Sequence, residues 1–302
     1  MAELHINPNL RTPKTTQKIM LDVCIALLPA LIYSTVIFGV NALLLTVISV
    51  VTCMAAEGIW QLIRKEQLTV GDLSAAVTGI LIAFNMSSTT PIWVVMIADV
   101  FAIIVVKQVF GGIGSNVVNP ALMGRLFTMV VYPGQMMSYA APGAVDTVAS
   151  PTVLSAVKSG SEVAYSAWDM IIGNIPGALG ETSALLLLVG FLYLAFKKEV
   201  NVLAAVVYIV VVGAVSGILN GNFAASFFAG GLFLGGLFML TDYVFVSKKG
   251  KVLYALVAAV ITILVRQFSP YPEGVCFGIL IANCLAYFVD KIDKKPHVYG
   301  IK

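Results

Sequence analysis

Ten apolar runs, at about 20–40, 43–63, 70–85, 92–109, 117–131, 178–196, 202–219, 224–246, 252–268 and 275–288, occupy most of this chain. A helix needs about 20 apolar residues to cross a hydrocarbon core of about 30 Å. Most of the runs approach that length, so the chain reads as a bundle of membrane helices. With 59% hydrophobic and 11% charged residues and a mean hydropathy of +0.96, it lacks the charge that covers a soluble surface. The expected class is an all-α integral membrane protein of about ten transmembrane helices. The net charge of +3 does not imply nucleic acid, because the basic residues do not gather on a soluble face.

Their placement reports orientation. With the N-terminus inside, every Lys and Arg except Arg125, Lys158 and Arg266 falls on the cytoplasmic side. Positive charge is retained there, so both termini are expected in the cytoplasm. Met1–Lys18 is polar and basic, unlike a cleavable signal, and is followed by a run long enough to stay in the membrane.

Ten runs divide into two sets of five. Because five is odd, the second set enters the membrane in the opposite sense, which is the arithmetic of an inverted repeat. The third run is short, and the eighth is interrupted by Gly230-Gly231 and Gly235-Gly236; they hold equivalent places in the two halves. Broken helices of this kind point their ends toward the midplane. The expected organisation is a cytoplasmic segment at 1–18, a first five-helix repeat at 19–131, an extracytoplasmic loop at 132–167, a second repeat at 168–290 and a cytoplasmic tail at 291–302.

The loop is the longest polar interruption, and it carries Asp146-Thr147-Val148-Ala149-Ser150-Pro151-Thr152-Val153-Leu154. Long loops in compact proteins are functional or disordered. Taken alone, a Ser/Thr-Pro turn in an external linker accounts for it.

Ionisable groups at membrane depth are functional candidates. Asp99 lies in the fourth run and Arg125 in the fifth, where a mutual ion pair is the structural alternative. Glu57 and Asp22, nearer helix ends, are expected to reach the interface. Asp242 follows the glycine-rich eighth run. A glycine-rich turn, Gly111-Gly112-Ile113-Gly114, precedes Asn119-Pro120, and such turns hold phosphate or simply join two spans. Glu273 opens the last run as an acid that complements a helix N-terminus. Cys24, Cys53, Cys276 and Cys284 lie in apolar runs without a C-x-x-C pair, which fits small buried residues better than a thiolate-bound metal or iron–sulfur cluster.

Several of these motifs coincide in one family. Asn119-Pro120-Ala121-Leu122-Met123-Gly124-Arg125 with Tyr132-Pro133, Thr241-Asp242, and Tyr271-Pro272-Glu273-Gly274-Val275-Cys276-Phe277 leading to Ala282-Asn283 resemble the D subunits of Rnf complexes and the B subunits of Na+-translocating NADH:quinone oxidoreductases. The resemblance runs from Asn9-Leu10-Arg11 to Asp290. The short N-terminal region favours the Rnf branch.

This resemblance implies electron transport in a channel-like fold. Family members carry FMN joined through its phosphate to a threonine in a pattern close to D-x-x-S-G-A-T-x-L. Thr152 takes the acceptor position here and Asp146 the leading acid, while Ala149, Ser150 and Pro151 stand where the pattern has Ser, Gly and Ala. Ser150 and Thr147 are the alternative acceptors. Asn119 and Arg125 are further candidate cofactor contacts, and Asp99, Asp242 and Glu57 candidate members of an ion path, with no catalytic residue and no metal site expected. The resemblance further implies a noncovalent riboflavin and a flavin transferase for maturation. It also implies a complex with other membrane subunits, a flavin-bearing G-type subunit, and iron–sulfur and NADH-binding subunits. The chain has no strand–G-x-G-x-x-G–helix fingerprint and no cysteine cluster, so NAD+ and ferredoxin fall to those partners. The implied work is a relay coupling electron transfer from ferredoxin to NAD+ with Na+ or H+ export. A small-solute channel of inverted-repeat fold without a redox role is the alternative.

Overall fold

The computed structural model describes residues 15–143, 150–181, 183–241 and 248–293, without the side chains of 248, 249, 287 and 289–293. Helices form the architecture: α1 (Thr16–Phe38), α2 (Val40–Arg64), α3 (Ser74–Phe84), α4 (Ile92–Val100), α5 (Pro120–Val131), α6 (Pro133–Met136), α7 (Val153–Ser159) and α8 (Ala167–Ile172) come first. They are followed by α9 (Ala184–Phe196), α10 (Val202–Asn220), α11 (Phe223–Phe228), α12 (Leu232–Leu234), α13 (Lys248–Phe268) and α14 (Val275–Asp293). No strand occurs among the described residues.

Helix starts are written locally. Thr15, Asn119, Ser183, Asn201 and Asn222 each accept a hydrogen bond from a first-turn N–H, and Pro120 follows Asn119 at the first helical position. Among the described residues, α1, α2, α10 and Gly250–Phe268 are long and apolar enough to cross a membrane; 74–84, 120–131, 184–196 and 275–286 are shorter apolar helices. Large apolar side chains such as Ile32, Val36, Leu62, Phe196, Ile218 and Phe268 are exposed on the bundle surface. A surface this greasy matches a lipid solvent.

Two stretches depart from plain α-helix in ways that matter. The chain leaves α3 at Phe84 and takes an irregular path through 85–91 before α4. In the eighth run the helix stops at Phe228, Ala229 is extended, and Gly230 (φ +76°) and Gly231 (φ +67°) turn left-handed before α12. An L side chain is strained in that region, so the glycines permit the break. Both α4 and α12 continue as π-helix, at Phe101–Gln108 and Gly235–Met239, a form that recurs at functional sites.

Packing joins the halves through α1 on α9 and α5 on α14. At the first crossing, a Cβ on Gly190 would sit 2.0 Å from the Ala26 carbonyl oxygen, a backbone atom that cannot yield. Gly190→Leu is therefore expected to force the helices apart and lower the thermal midpoint in detergent, with a cost of about 1–3 kcal/mol or more. Gly71→Ala, where nothing lies within 4 Å of the new carbon, is the control expected to leave it unchanged.

The described parts of the polar stretch, 132–143 and 150–167, are less open than expected. They include α6 and α7, and Val153 and Leu154 join Met170, Ile175, Ala225 and Ala229 in a second, smaller core. Ser166 and Asp169 open α8 with a capping box. The Ser166 hydroxyl and N–H hold the Asp169 carboxyl below its usual range.

Candidate functional site

The charged residues gather where the helix breaks meet. Arg125, 5% exposed in α5, donates from Nη1 to Asn85 Oδ1 at 2.8 Å and pairs through Nη2 with Glu273 Oε2. Asn85 ends α3, and Glu273 precedes α14. The Tyr139 hydroxyl donates to Glu273 Oε1 at 3.2 Å. Arg266, buried in α13, donates from Nε to the Glu273 carbonyl at 2.9 Å and from Nη1 to the Ser226 carbonyl at 3.0 Å. The last carbonyls of a helix lack intrahelical partners, and Arg266 supplies one to α11 just before the glycine break. Glu181 completes the cluster at 7% exposure, its carboxylate seated between Gly177 and Gly231. Isolated buried charges are costly, whereas paired ones with satisfied hydrogen bonds are tolerated.

Thr152 borders this cluster. It is the N-cap of α7: Oγ1 accepts from the Ser155 N–H at 3.3 Å, and the Ser155 hydroxyl donates to the Thr152 carbonyl at 2.7 Å. Thr152 is 7% exposed, while Pro151 before it is exposed. The Ser150 N–H donates to the Tyr139 carbonyl at 2.8 Å, tying the stretch to the residue that holds Glu273. Leu154 lies over Gly230, where an added Cβ would meet Leu154 Cδ1 at 2.1 Å. Lys158 Nζ donates to the carbonyls of Arg266, at 2.7 Å, and Ser269; partial burial lowers its pKa. Short α7 is thereby fastened to the eighth run's break and to the end of α13.

The residues present fit a phosphoester. The hydrogen bond at Thr152 Oγ1 is one the oxygen accepts, and esterification replaces the hydroxyl hydrogen while leaving that oxygen to cap the helix.

A second polar path runs between α2 and α4. Ser49, Cys53 and Glu57 follow one face of α2 at i, i+4 and i+8. The Ser49 hydroxyl lies 2.8 Å from the Gly79 carbonyl and 2.7 Å from Asp99 Oδ1. A hydroxyl has one hydrogen, so both contacts are satisfied when Asp99 is itself a donor. Further along, Lys107 Nζ lies 2.7 Å from Glu57 Oε1 and donates to Ser74 Oγ at 2.6 Å, while Gln108 Nε2 donates to Glu57 Oε1 at 2.6 Å.

Several sequence expectations change here. Arg125 pairs with Glu273 and not with Asp99, which turns to Ser49; Glu273 is an ion-pair partner more than a dipole complement. Glu57 does not reach the interface, because Lys107, placed on the cytoplasmic edge by sequence, is buried with it. Asp22 is likewise sealed by Lys197 at 2.6 Å and the Tyr193 hydroxyl at 2.9 Å. Asn119 serves as the N-cap of α5, accepting from the Leu122 N–H at 3.2 Å. Cys53 and Cys276 are buried as expected, and Cys284 is exposed. Asp146, Thr147 and Asp242 lie outside the described residues. Glu181, Tyr139 and Arg266 were not among the residues expected from sequence. Glu181 carried the signal that marked Asp99, an acid inside an apolar run, and the same rule would have found it.

Comparison with known proteins follows the same lines. Residues 3–300 match the model of the NQR2, RnfD, RnfE family. The chain is 37% identical to the D subunit of the Na(+)-translocating ferredoxin:NAD(+) oxidoreductase complex of Acetobacterium woodii, over 100% of this chain and 97% of that protein. It is 34% identical to the D subunit of the proton-translocating ferredoxin:NAD(+) oxidoreductase complex of Clostridium ljungdahlii, over 98% and 95%. It is 28% identical to the D subunit of the ion-translocating oxidoreductase complex of Salmonella paratyphi A, over 97% of each. A match across nearly the whole chain, together with the motifs that build the buried cluster, establishes that this protein belongs to the NQR2, RnfD, RnfE family.

Proposed function

We propose that this chain is the membrane electron-relay subunit of an ion-translocating ferredoxin:NAD+ oxidoreductase, with FMN esterified through its phosphate to Thr152. The observation that carries this reading is the Thr152 hydroxyl: an oxygen that caps α7 and accepts its hydrogen bond, next to an exposed Pro151. Full-length similarity to the D subunits of such complexes supports the setting. FMN, when bound, takes up and releases electrons singly or in pairs. The protein positions the ester oxygen, through Leu154 on Gly230 and Lys158 on the end of α13. Other subunits of the complex supply ferredoxin and NAD+ handling, and a flavin transferase makes the ester.

The same reading places ten spans in two inverted repeats, with both termini cytoplasmic and the Thr152 stretch extracytoplasmic. Its support is the pattern of neighbours. In the first half α2 packs on α3 and α4, and α4 on α5; in the second α10 packs on α11 and α13, and α13 on α14. Trp93 and Tyr132 meet edge to face at 5.0 Å at the expected outer end, and Trp60 lies near Arg64 at the inner one, as interfacial aromatics do.

Ion coupling is assigned to Asp99 and Glu57 along α2 and α4. Asp99→Asn keeps the size and neutrality of a protonated acid at this site, so flavin content is expected to stay at the wild-type level while ion transport in proteoliposomes falls sharply. Equal loss of both would mark a folding defect and remove Asp99 from the path.

The proposed function is tested by mass spectrometry of the tryptic fragment 126–158 from chain co-expressed with a flavin transferase. An added FMN mass on Thr152 supports the relay. A fragment of unmodified mass, with no in-gel flavin fluorescence, would instead favour a solute channel of the same fold.

A further inference from the structure

We propose that Asp72, Ser74 and Lys107 form a proton-entry wire from the end of the bundle read as cytoplasmic to Glu57, a step that rests on the assignment of Asp99 and Glu57 to ion coupling and adds the ion and its way in.

Each link is a hydrogen bond. The mouth is Asp72, half-buried in the turn Val70–Asp72, just past the exposed stretch 62–69. Gln61 pins that stretch to α2: its Nε2 donates to Thr69 Oγ1 at 2.7 Å, and its Oε1 accepts from the Thr69 N–H at 2.9 Å. Leu73 then takes φ +64°, a conformation rare for a bulky side chain, which bends the chain back on itself. Across this bend Asp72 Oδ1 accepts from the Ser74 N–H at 2.7 Å and from the Ser74 hydroxyl at 2.5 Å. Ser74 Oγ in turn accepts from Lys107 Nζ at 2.6 Å, and Nζ lies 2.7 Å from Glu57 Oε1. Gln108 Nε2 donates to the same Glu57 oxygen at 2.6 Å. Two neighbours in sequence reach one oxygen because they end the π-helix Phe101–Gln108, whose turn is wider than an α turn. From Glu57 the face of α2 leads past Cys53 to Ser49 and Asp99, two turns or about 12 Å away. Glu57 Oε2 and Asp99 Oδ2 have no hydrogen-bond partner, so each acid keeps an oxygen that can take a proton.

The chemistry of the links selects the proton. Lys107 and Glu57 are 2% and 1% exposed, and a buried ion pair stabilises little over apolar residues of the same size. A lysine ammonium, unlike a guanidinium, can give up a proton when buried. A metal cation approaching Glu57 would meet the ammonium already seated on Oε1 and be repelled by it. The titratable groups along the route are Asp72 from the turn before α3, Glu57 and Cys53 from α2, and Asp99 and Lys107 from α4 and its π continuation.

The transfer balances without a co-reactant. A proton from water adds to the Asp72 carboxylate. Lys107 breaks one N–H bond as Glu57 gains an O–H bond, and the neutral amine takes the Ser74 hydroxyl hydrogen. Ser74 Oγ then takes the hydrogen of protonated Asp72. One proton has moved from water to Glu57, Asp72 is a carboxylate again, and no electron has moved.

The test is proton uptake by the complete complex in proteoliposomes, driven by reduced ferredoxin and NAD+, with a pH dye in the lumen and 22Na+ uptake measured in parallel. Ser74→Ala cuts the wire at its middle and changes no charge. Its initial rate of acidification in Na+-free buffer is expected to fall about 100-fold, the lower end of what a positioned proton-transfer group contributes, with bound flavin unchanged. Ser74→Thr, which keeps a hydroxyl, is expected to restore the rate. A wild-type rate in Ser74→Ala overturns the wire; if Asp99→Asn still abolishes transport, the assignment of Asp99 survives that result. Wild-type complex that takes up 22Na+ and does not acidify the lumen in Na+-free buffer overturns the proton as the ion. If Ser74→Ala does not assemble, Asp72→Asn decides, because an amide oxygen still accepts from the Ser74 N–H: an unslowed rate there overturns the wire.

Discussion

Replacing Thr152 with alanine is expected to remove every covalently held flavin, leaving fragment 126–158 at its unmodified mass and the denatured chain without fluorescence. The effect is chemical: alanine offers no oxygen to esterify. Its structural cost is modest, since losing an N-cap hydroxyl destabilises by about 1 kcal/mol, and Val153 and Leu154 keep α7 in its small core. The variant should therefore insert and assemble, and the lost signal is not a folding artefact. Thr152→Ser, which caps the helix and retains a hydroxyl, is expected to keep part of the label. Ser150→Ala and Thr147→Ala are expected to keep all of it. A label that disappears with Ser150→Ala and survives Thr152→Ala would move the attachment point.

Removing Arg125 should produce the largest loss of stability. Arg125→Leu strips the partly buried Glu273 carboxylate of its cation and frees Asn85 Oδ1 of its donor. Breaking a buried pair by removing one partner costs about 3–5 kcal/mol. The thermal midpoint in detergent is expected to drop steeply, with Cys276 becoming reactive to maleimide as α5 loosens from α14; in the wild type Cys276 is buried and its thiol donates to the Leu122 carbonyl at 3.3 Å. Arg125→Lys keeps the charge but not the two-pronged geometry that reaches Asn85 and Glu273 together, so an intermediate loss is expected. The double variant Arg125→Leu, Glu273→Leu should recover much of the stability, because it leaves no charge of this pair unmatched. A single variant as stable as wild type would mean that the pair does not hold α5 to α14.

Chain reading was most successful where the controlling forces are local. Helix starts at Asn119-Pro120 and the break at Gly230-Gly231 follow from which side chains tolerate given backbone angles, and the apolar runs from what lipid admits. These decisions are made within a few residues. The Thr152 stretch was harder. Its polarity suggested an open loop, yet Val153 and Leu154 find apolar partners in α11, which no local pattern announces.

By itself, then, the sequence determined a helical membrane protein, the order of its helices, the position of one break and the residues that match its family. Tertiary structure alone decided the partner of each buried charge. Arg125 and Glu273 stand 148 residues apart, Ser49 and Asp99 50, and Asp22 and Lys197 175. Coulomb attraction and hydrogen-bond geometry act over a few ångströms in space and are blind to separation along the chain. Which acid meets which base is therefore fixed only when the helices have packed.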